Sequence, residues 1–171
     1  MTREEIEKYL RMLGEELLKR QLTGEIVIVG GAYMLLVIQN RETTKDVDAY
    51  LAVEPQAIRE AVRVVADREG LPSDWLNDGV KGFFYTAPST HLWAEYPGLR
   101  IYTATADYVL AMKVIAGRPE DVVDLRALIA HLGIQTAAEA LTIVARYVPD
   151  RLIPPRAQYL VESLFEDQEE G

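Results

Sequence analysis

The chain has no cysteine, so neither a disulfide framework nor a thiolate metal site can belong to its fold. It has only two histidines, His91 and His131, too far apart in sequence to read as a metal-binding pair. No apolar run reaches the roughly 20 residues that a membrane-spanning helix needs, so no membrane partner is expected. The opening residues MTREEIEKYL are charged from the start and do not resemble a secretory leader, which makes a reducing cytoplasm the expected compartment. Basic residues are also scarce. Lysine and arginine number 18 against 27 acidic residues, a net charge of −9. Proteins that coat DNA or RNA draw most of their non-specific affinity from basic contacts to phosphate. The net charge therefore argues against tight non-specific binding of that kind, although it does not exclude a local basic pocket for one nucleotide or one RNA end. No internal repeat or low-complexity linker interrupts the chain.

What remains is 171 residues, 49% of them hydrophobic, enough for one compact unit with a real core. Thr2 and Glu5 have the spacing of a capping box, and Ile6, Leu10, Leu13 and Leu17 then recur at helical period. This predicts a first helix to about Arg20. After Gly24, EIVIV is short and β-branched and reads as a buried strand. AYMLLVIQ lacks a clean polar face and suits a helix packed on a sheet. DVDAYLAV alternates, with Asp46, Asp48 and Tyr50 on one face and Val47, Ala49 and Leu51 on the other. Pro55 opens a further helix that Gly70 closes.

The aromatic, Gly- and Pro-rich middle reads as loops with short strands around Phe83–Thr86 and Leu99–Thr103. Helices follow after Thr105, from Pro119, after a second capping box at Thr136 and Glu139, and beyond Pro154 and Pro155. The acidic tail FEDQEEG is expected to be solvated and frayed. Strands first and helices at both ends predict an α+β fold with a C-terminal helical portion. The expected layout is a core over residues 1–130, with residues 131–171 packed on it.

Two short patterns carry chemistry. A strand that ends in Gly30-Gly31 and turns into a helix exposes backbone N–H groups with no Cβ in the way, so a phosphate can approach closely. Asp46 and Asp48, two apart on a strand, share a face at roughly 6–7 Å between Cα atoms. Carboxylates so placed can reach one or two magnesium ions, hard cations that favour carboxylate and phosphate oxygens. Each pattern alone has a plainer reading, as a tight turn and as a solvated strand end. Lys113 stands among Ala111, Met112, Val114 and Ile115, as either a snorkelling lysine or a pocket cation. Trp75, Asn77 and Lys81 lie in a loop that either closes on a base or is anchored to the core by its tryptophan.

Val29-Gly30-Gly31, a short helix, then Asp46-Val47-Asp48 resembles the signature of the nucleotidyltransferase superfamily with the DNA polymerase β fold. The spelling Arg41, Thr43 or Thr44, Asp46, Asp48 is most similar to its small prokaryotic branch, which includes the nucleotidyltransferase toxins of abortive-infection systems. Lys113, Arg118, Asp121 and Asp124 resemble a Lys–Arg–Asp–Asp series of that branch, although a structural ion-pair network is the plainer reading of the last three.

The resemblance implies a small mixed sheet flanked by helices. It also implies Mg²⁺ or Mn²⁺ on Asp46 and Asp48, and a nucleoside triphosphate held by Gly30, Gly31, Arg41 and Thr44. Asp46, Asp48 and Lys113 would be the catalytic residues. A nucleoside monophosphate would pass to a hydroxyl acceptor on a protein, a tRNA end or a small molecule. The superfamily's third carboxylate has no counterpart within GFFYTA or LRIYTAT, which leaves Asp74, Asp78 and Glu95 by elimination. That gap keeps a second reading open: a catalytically degenerate module that binds a nucleotide or a partner. The apolar C-terminal segment suits a homodimer interface or a docking surface for a cognate partner protein.

Overall fold

A computed structural model describes residues 1–79 and 85–169, with side chains as far as residue 166. Lys81, and Phe83 and Phe84 of the strand expected around Phe83–Thr86, lie outside the described residues; Tyr85 and Thr86 form a bend. The fold is α+β. It divides into two compact units, Met1–Gly82 with Thr90–Ala104, and Phe83–Ser89 with Thr105–Gly171.

In the first unit, helix α1 (Arg3–Lys19) starts at the expected capping box: Thr2 Oγ1 accepts from Glu5 N–H, and Glu5 Oε1 accepts from Thr2 N–H. Ile6, Leu10, Leu13 and Leu17 are fully buried on its inner face. Strand β1 (Gly24–Val29) leads into α2 (Gly30–Tyr33), which continues as a π-type turn over Met34–Ile38. Next come β2 (Val47–Val53), α3 (Pro55–Glu69), β3 (Leu76–Asn77), β4 (Thr90–Tyr96) and β5 (Leu99–Ala104). Pro55 takes the first turn of α3, and Gly70 ends it in the left-handed region at φ +69°.

Among the described residues the sheet has five strands in the order β3-β2-β1-β5-β4. β1 is antiparallel to β2 and parallel to β5, so the sheet is mixed as expected. Ile26 pairs with Leu51 and Ile101, and Ile28 with Ala49, which puts these buried residues on one face. Val29 pairs with Asp48 and Val27 with Tyr50, so Asp48 and Tyr50 share the other face, as the alternation predicted.

Two strands escaped the sequence. β4 carries a register shift between Leu92 and Ala94, and a bulge of this kind breaks the alternation that marks a strand. β3 has two residues, too few for any period to show.

Helices α1 and α3 pack against each other and against the sheet. Trp75 is 1% exposed; its Nε1–H donates to Val62 O at 3.0 Å, and its ring meets Tyr9 edge-on at 5.8 Å. It therefore anchors its loop to the core. Glu16, buried on α1, accepts from Lys19 Nζ at 2.9 Å and from Arg68 Nη2 of α3 at 2.8 Å. Those two hydrogen bonds, Lys19 first, hold its carboxyl below the ordinary value of 4.5 despite the cost of burial.

A depressed carboxyl gives stability that is fully present above the unfolded value and is lost as pH falls through the folded one. Thermal unfolding of Glu16→Gln should therefore approach that of the wild type as the pH drops below 4.5. A stability gap between the two that stays constant with pH would contradict this.

The second unit is helical: α4 (Ala106–Ala116), a 3₁₀ turn over Pro119–Asp121, α5 (Val122–Leu132), α6 (Ala137–Tyr147), a 3₁₀ turn over Asp150–Leu152, and α7 (Pro155–Glu169). Thr136 caps α6 by accepting from Glu139 N–H at 3.2 Å. The Glu139 carboxylate takes the N–H of Gln135 at 2.9 Å, one residue before the position a capping box would use. Arg156 on α7 donates to Ile115 O and Ala116 O at the end of α4. Tyr108 and Tyr147 meet edge-on at 5.1 Å. The backbone of the acidic tail is helical through Glu169 rather than frayed, because Ala157, Val161 and Leu164 are buried along α7. No single helix among the described residues is long and apolar enough to cross a membrane.

Candidate functional site

The end of β1 explains the first glycine twice over. Gly30 has φ +66°, a left-handed conformation that costs other residues roughly 1–2 kcal/mol. A Cβ there would also lie 2.6 Å from Asp48 Oδ2 and 3.2 Å from Asp48 Cβ. The Asp48 carboxylate thus rests directly on the Gly30 backbone, a consequence of the Val29–Asp48 pairing in the sheet. Gly31 is a glycine for space alone: a Cβ there would lie 2.8 Å from Thr44 Oγ1 and 3.0 Å from Arg41 Nη1. The two glycines form a floor beneath a carboxylate, a hydroxyl and a guanidinium.

The return of the chain to that floor depends on the turn after α2. Met34, Leu35 and Leu36 are buried, which is why AYMLLVIQ shows no polar face. The helix widens into a π-type turn and stops at Gln39, φ +61°, whose N–H donates to Met34 O at 2.7 Å. Turns of this type recur at functional sites. The loop that follows carries Arg41 and Thr44 back over Gly31. Thr44 is 9% exposed, its N–H donates to Met1 O at 3.0 Å, and its hydroxyl donates to Asp46 O at 3.2 Å. Thr43 is exposed, so Thr44 is the threonine that faces the site.

Asp46, one residue before β2, and Asp48 are both half-buried, Val47 between them is buried, and Lys45 just before them is exposed. The three further acids do not join them. Asp78 binds Arg59 at 2.5 Å, Glu95 on β4 binds Arg100 at 3.1 Å, and Asp74 is exposed in a turn. Among the described residues, no group of three or more His, Asp or Glu is placed to hold a metal ion. Asp48's neighbour on β3 is Asn77, an amide. Two carboxylates suit a magnesium ion that takes its remaining ligands from substrate phosphates and water. They do not form an all-protein cage.

In the second unit Lys113 is 9% exposed. Its Nζ lies 3.1 Å from Asp121 Oδ1 and 3.1 Å from Asp124 Oδ2, with those carboxylate side chains 12% and 3% exposed. Lys113 is thus the centre of a buried ion triad rather than a snorkelling side chain, and Arg118 is exposed beside it. A second polar group there went unread in the sequence: Tyr147 O–H donates to Asp107 Oδ2 at 2.7 Å. Burial pushes the Asp107 carboxyl up, but the neighbouring Thr105 and Tyr147 hydroxyls, the Tyr108 N–H and Arg146 outweigh it and leave it below its ordinary value. Nothing in the order of residues along the chain pairs positions so far apart.

The structure therefore gathers Gly30, Gly31, Arg41, Thr44, Asp46 and Asp48 where β1 ends and β2 begins in the first unit, and places Lys113 in the second unit. A family model described as nucleotidyltransferase of unknown function (DUF6036) matches residues 8–145. The chain belongs to that family. The match covers most of the chain, including the glycine pair, the two aspartates and Lys113, and it gives the protein a nucleotidyltransferase-like role in general terms. Nucleotidyltransferases as a class work on nucleoside triphosphates with divalent metals. No curated protein and no solved structure matches the chain.

Proposed function

We propose that the protein binds a nucleoside triphosphate with Mg²⁺ or Mn²⁺ and moves the nucleoside monophosphate to a hydroxyl acceptor. The observation that carries this is the glycine floor, with Asp48 resting on Gly30 and with Arg41 and Thr44 on Gly31. The N–H groups of Gly30 and Gly31 would face the β- and γ-phosphates. The Arg41 guanidinium would add charge-assisted hydrogen bonds to them, and the Thr44 hydroxyl would fix the loop that carries Arg41. Asp46 and Asp48 would hold the metal, which neutralises phosphate charge as it builds during transfer. The acceptor oxygen would attack the α-phosphorus, and pyrophosphate would leave.

The resemblance gives Lys113 a cationic role in the chemistry, which the variants in the Discussion test. The acidic surface favours a protein or small-molecule acceptor over a long RNA, and the likeness to abortive-infection toxins suggests a cognate partner protein in a cytoplasmic setting. A second reading is favoured by one observation: among the described residues no third acid joins Asp46 and Asp48. On that reading the fold binds a nucleotide or a partner without turnover.

Calorimetric titration with each of the four ribonucleoside triphosphates, with and without Mg²⁺, tests both. Wild type should bind at least one triphosphate only with magnesium, and a folded Asp46→Asn/Asp48→Asn variant should lose that binding. Equal behaviour of variant and wild type would remove the metal–phosphate site. Binding without pyrophosphate release in the presence of acceptors would favour the second reading.

A further inference from the structure

The loop that carries Arg41 and Thr44 over Gly31 is fastened from outside itself, by the residues that open α1. At its far end Thr44 and Met1 exchange two backbone hydrogen bonds. Thr44 N–H donates to Met1 O at 3.0 Å, and Met1 N donates to Thr44 O at 2.6 Å. At its near end Arg3 Nη1 donates to Leu36 O at 3.4 Å. Leu36 lies in the π-type turn, just before the helix stops. The last carbonyls of a helix have no partner within it, and a cation there also meets the negative end of the helix dipole. Arg3 meets both needs. Arg41 lies between the two fastenings.

The fastener is held in turn. The capping box between Thr2 and Glu5 fixes the backbone that joins Met1 to Arg3. Arg3 Nε donates to Glu7 Oε1 at 3.2 Å, and the guanidinium lies over the Trp93 ring of β4, 5.9 Å from its centroid. One planar fork thus serves two acceptors at once, which a lysine does not copy. The Arg3 side chain is 42% exposed, and an exposed pair of this kind adds little stability. Its contacts therefore aim the guanidinium at Leu36 O rather than hold the helix together.

The loop has little room for error. Arg41 Nη1 lies 3.0 Å, and Thr44 Oγ1 2.8 Å, from the place where a Cβ on Gly31 would stand. Binding groups work only when held to within roughly 0.5 Å of their productive position. A loop fixed before the ligand arrives also loses less freedom on binding.

We propose that the start of α1 is a strap that pre-places the phosphate-binding loop, with Arg3 as a positioning residue that sets triphosphate affinity through Arg41. The proposal rests on the triphosphate reading above and adds the device that holds its loop.

The test is a double-variant cycle on the full chain, titrated with each of the four ribonucleoside triphosphates in the presence of Mg²⁺. For any triphosphate that the wild type binds, Arg3→Ala should weaken binding about tenfold, the effect of freeing one or two ordered groups. Arg3→Lys, which keeps a single donor for Leu36 O, should weaken it less. In an Arg41→Ala background, Arg3→Ala should cost less than about twofold, because the group it positions is gone. Lys8→Ala, which breaks an exposed ion pair of the same helix with Glu69, should leave binding unchanged. Amide hydrogen exchange without ligand reads the strap directly. The Thr44 N–H should exchange several-fold faster in Arg3→Ala than in wild type, and at the wild-type rate in Lys8→Ala.

The proposal is overturned if Arg3→Ala binds triphosphate as wild type does, or costs as much with Arg41 removed as with it present. It is also overturned if Lys8→Ala matches Arg3→Ala, since helix stability alone would then explain the loss, or if Thr44 exchange does not change. A wild type that binds no triphosphate ends the triphosphate reading, while Thr44 exchange still decides whether Arg3 holds the loop, so the two fail separately.

Discussion

Lys113→Met is expected to destabilise the protein by about 3–5 kcal/mol, the usual cost of breaking a buried ion pair from one side. Asp121 and Asp124 would be left as two buried carboxylates, 12% and 3% exposed, with their shared cation removed. Buried charges of this kind are expensive because burial removes the water that would otherwise solvate them. In a chain of this size the loss should appear as a fall of roughly 10 °C or more in Tm.

The triple variant Lys113→Met/Asp121→Asn/Asp124→Leu separates stability from chemistry. Replacing a whole buried ion network by neutral side chains is often neutral or stabilising, so the triple variant should recover most of the lost stability. If it stays as unstable as Lys113→Met, the ion triad is not the source of the loss. If it folds but no longer releases pyrophosphate from a bound triphosphate, Lys113 belongs to the chemistry as well as to the fold.

Gly30→Ala should cost more stability than Gly70→Ala, although the two positions have almost the same backbone conformation, φ +66° and +69°. Both substitutions force a Cβ into the left-handed region, at roughly 1–2 kcal/mol. At Gly70 the new atom would meet nothing within 4 Å, whereas at Gly30 it would lie 2.6 Å from Asp48 Oδ2. Overpacking of that sort adds typically about 1–3 kcal/mol. The added cost can be met only by moving the Asp48 carboxylate, so Mg²⁺–triphosphate binding should fall by tenfold or more in Gly30→Ala and stay unchanged in Gly70→Ala. Urea unfolding and calorimetry on the two variants give both numbers. Equal unfolding costs with intact triphosphate binding in Gly30→Ala would show that Asp48 can leave Gly30 without consequence.

Much of the site was legible because its elements are local. The capping box at Thr2 and Glu5, the β-branched run before Gly30 and the alternation through Asp48 and Tyr50 each follow from neighbouring residues. Each appears in the fold as read. Less was legible where pairing is non-local. β4 lost its alternation to the bulge between Leu92 and Ala94, and β3 exists only because it lies beside β2. The choice between Thr43 and Thr44 was settled by which of them the chain returns to Gly31 after the π-type turn.

Lys113 is the instructive case. Its own helix is apolar around most of its circumference, so periodicity does not say which side is buried. Its partners come from the turn and helix that follow, and Arg118, which the sequence grouped with them, stays exposed.

The sequence by itself determined the α+β class, the strand–glycine–helix–aspartate order and the chemistry of the groups that order brings close. All of these depend on spacing along the chain and on the periods of helix and strand. Only the tertiary structure decided that Asp48 rests on Gly30, that Asp74, Asp78 and Glu95 stand apart from the two aspartates, and that Lys113 is held between two acids. Those contacts are set by strand register and helix packing between residues distant in sequence, and no local pattern encodes them.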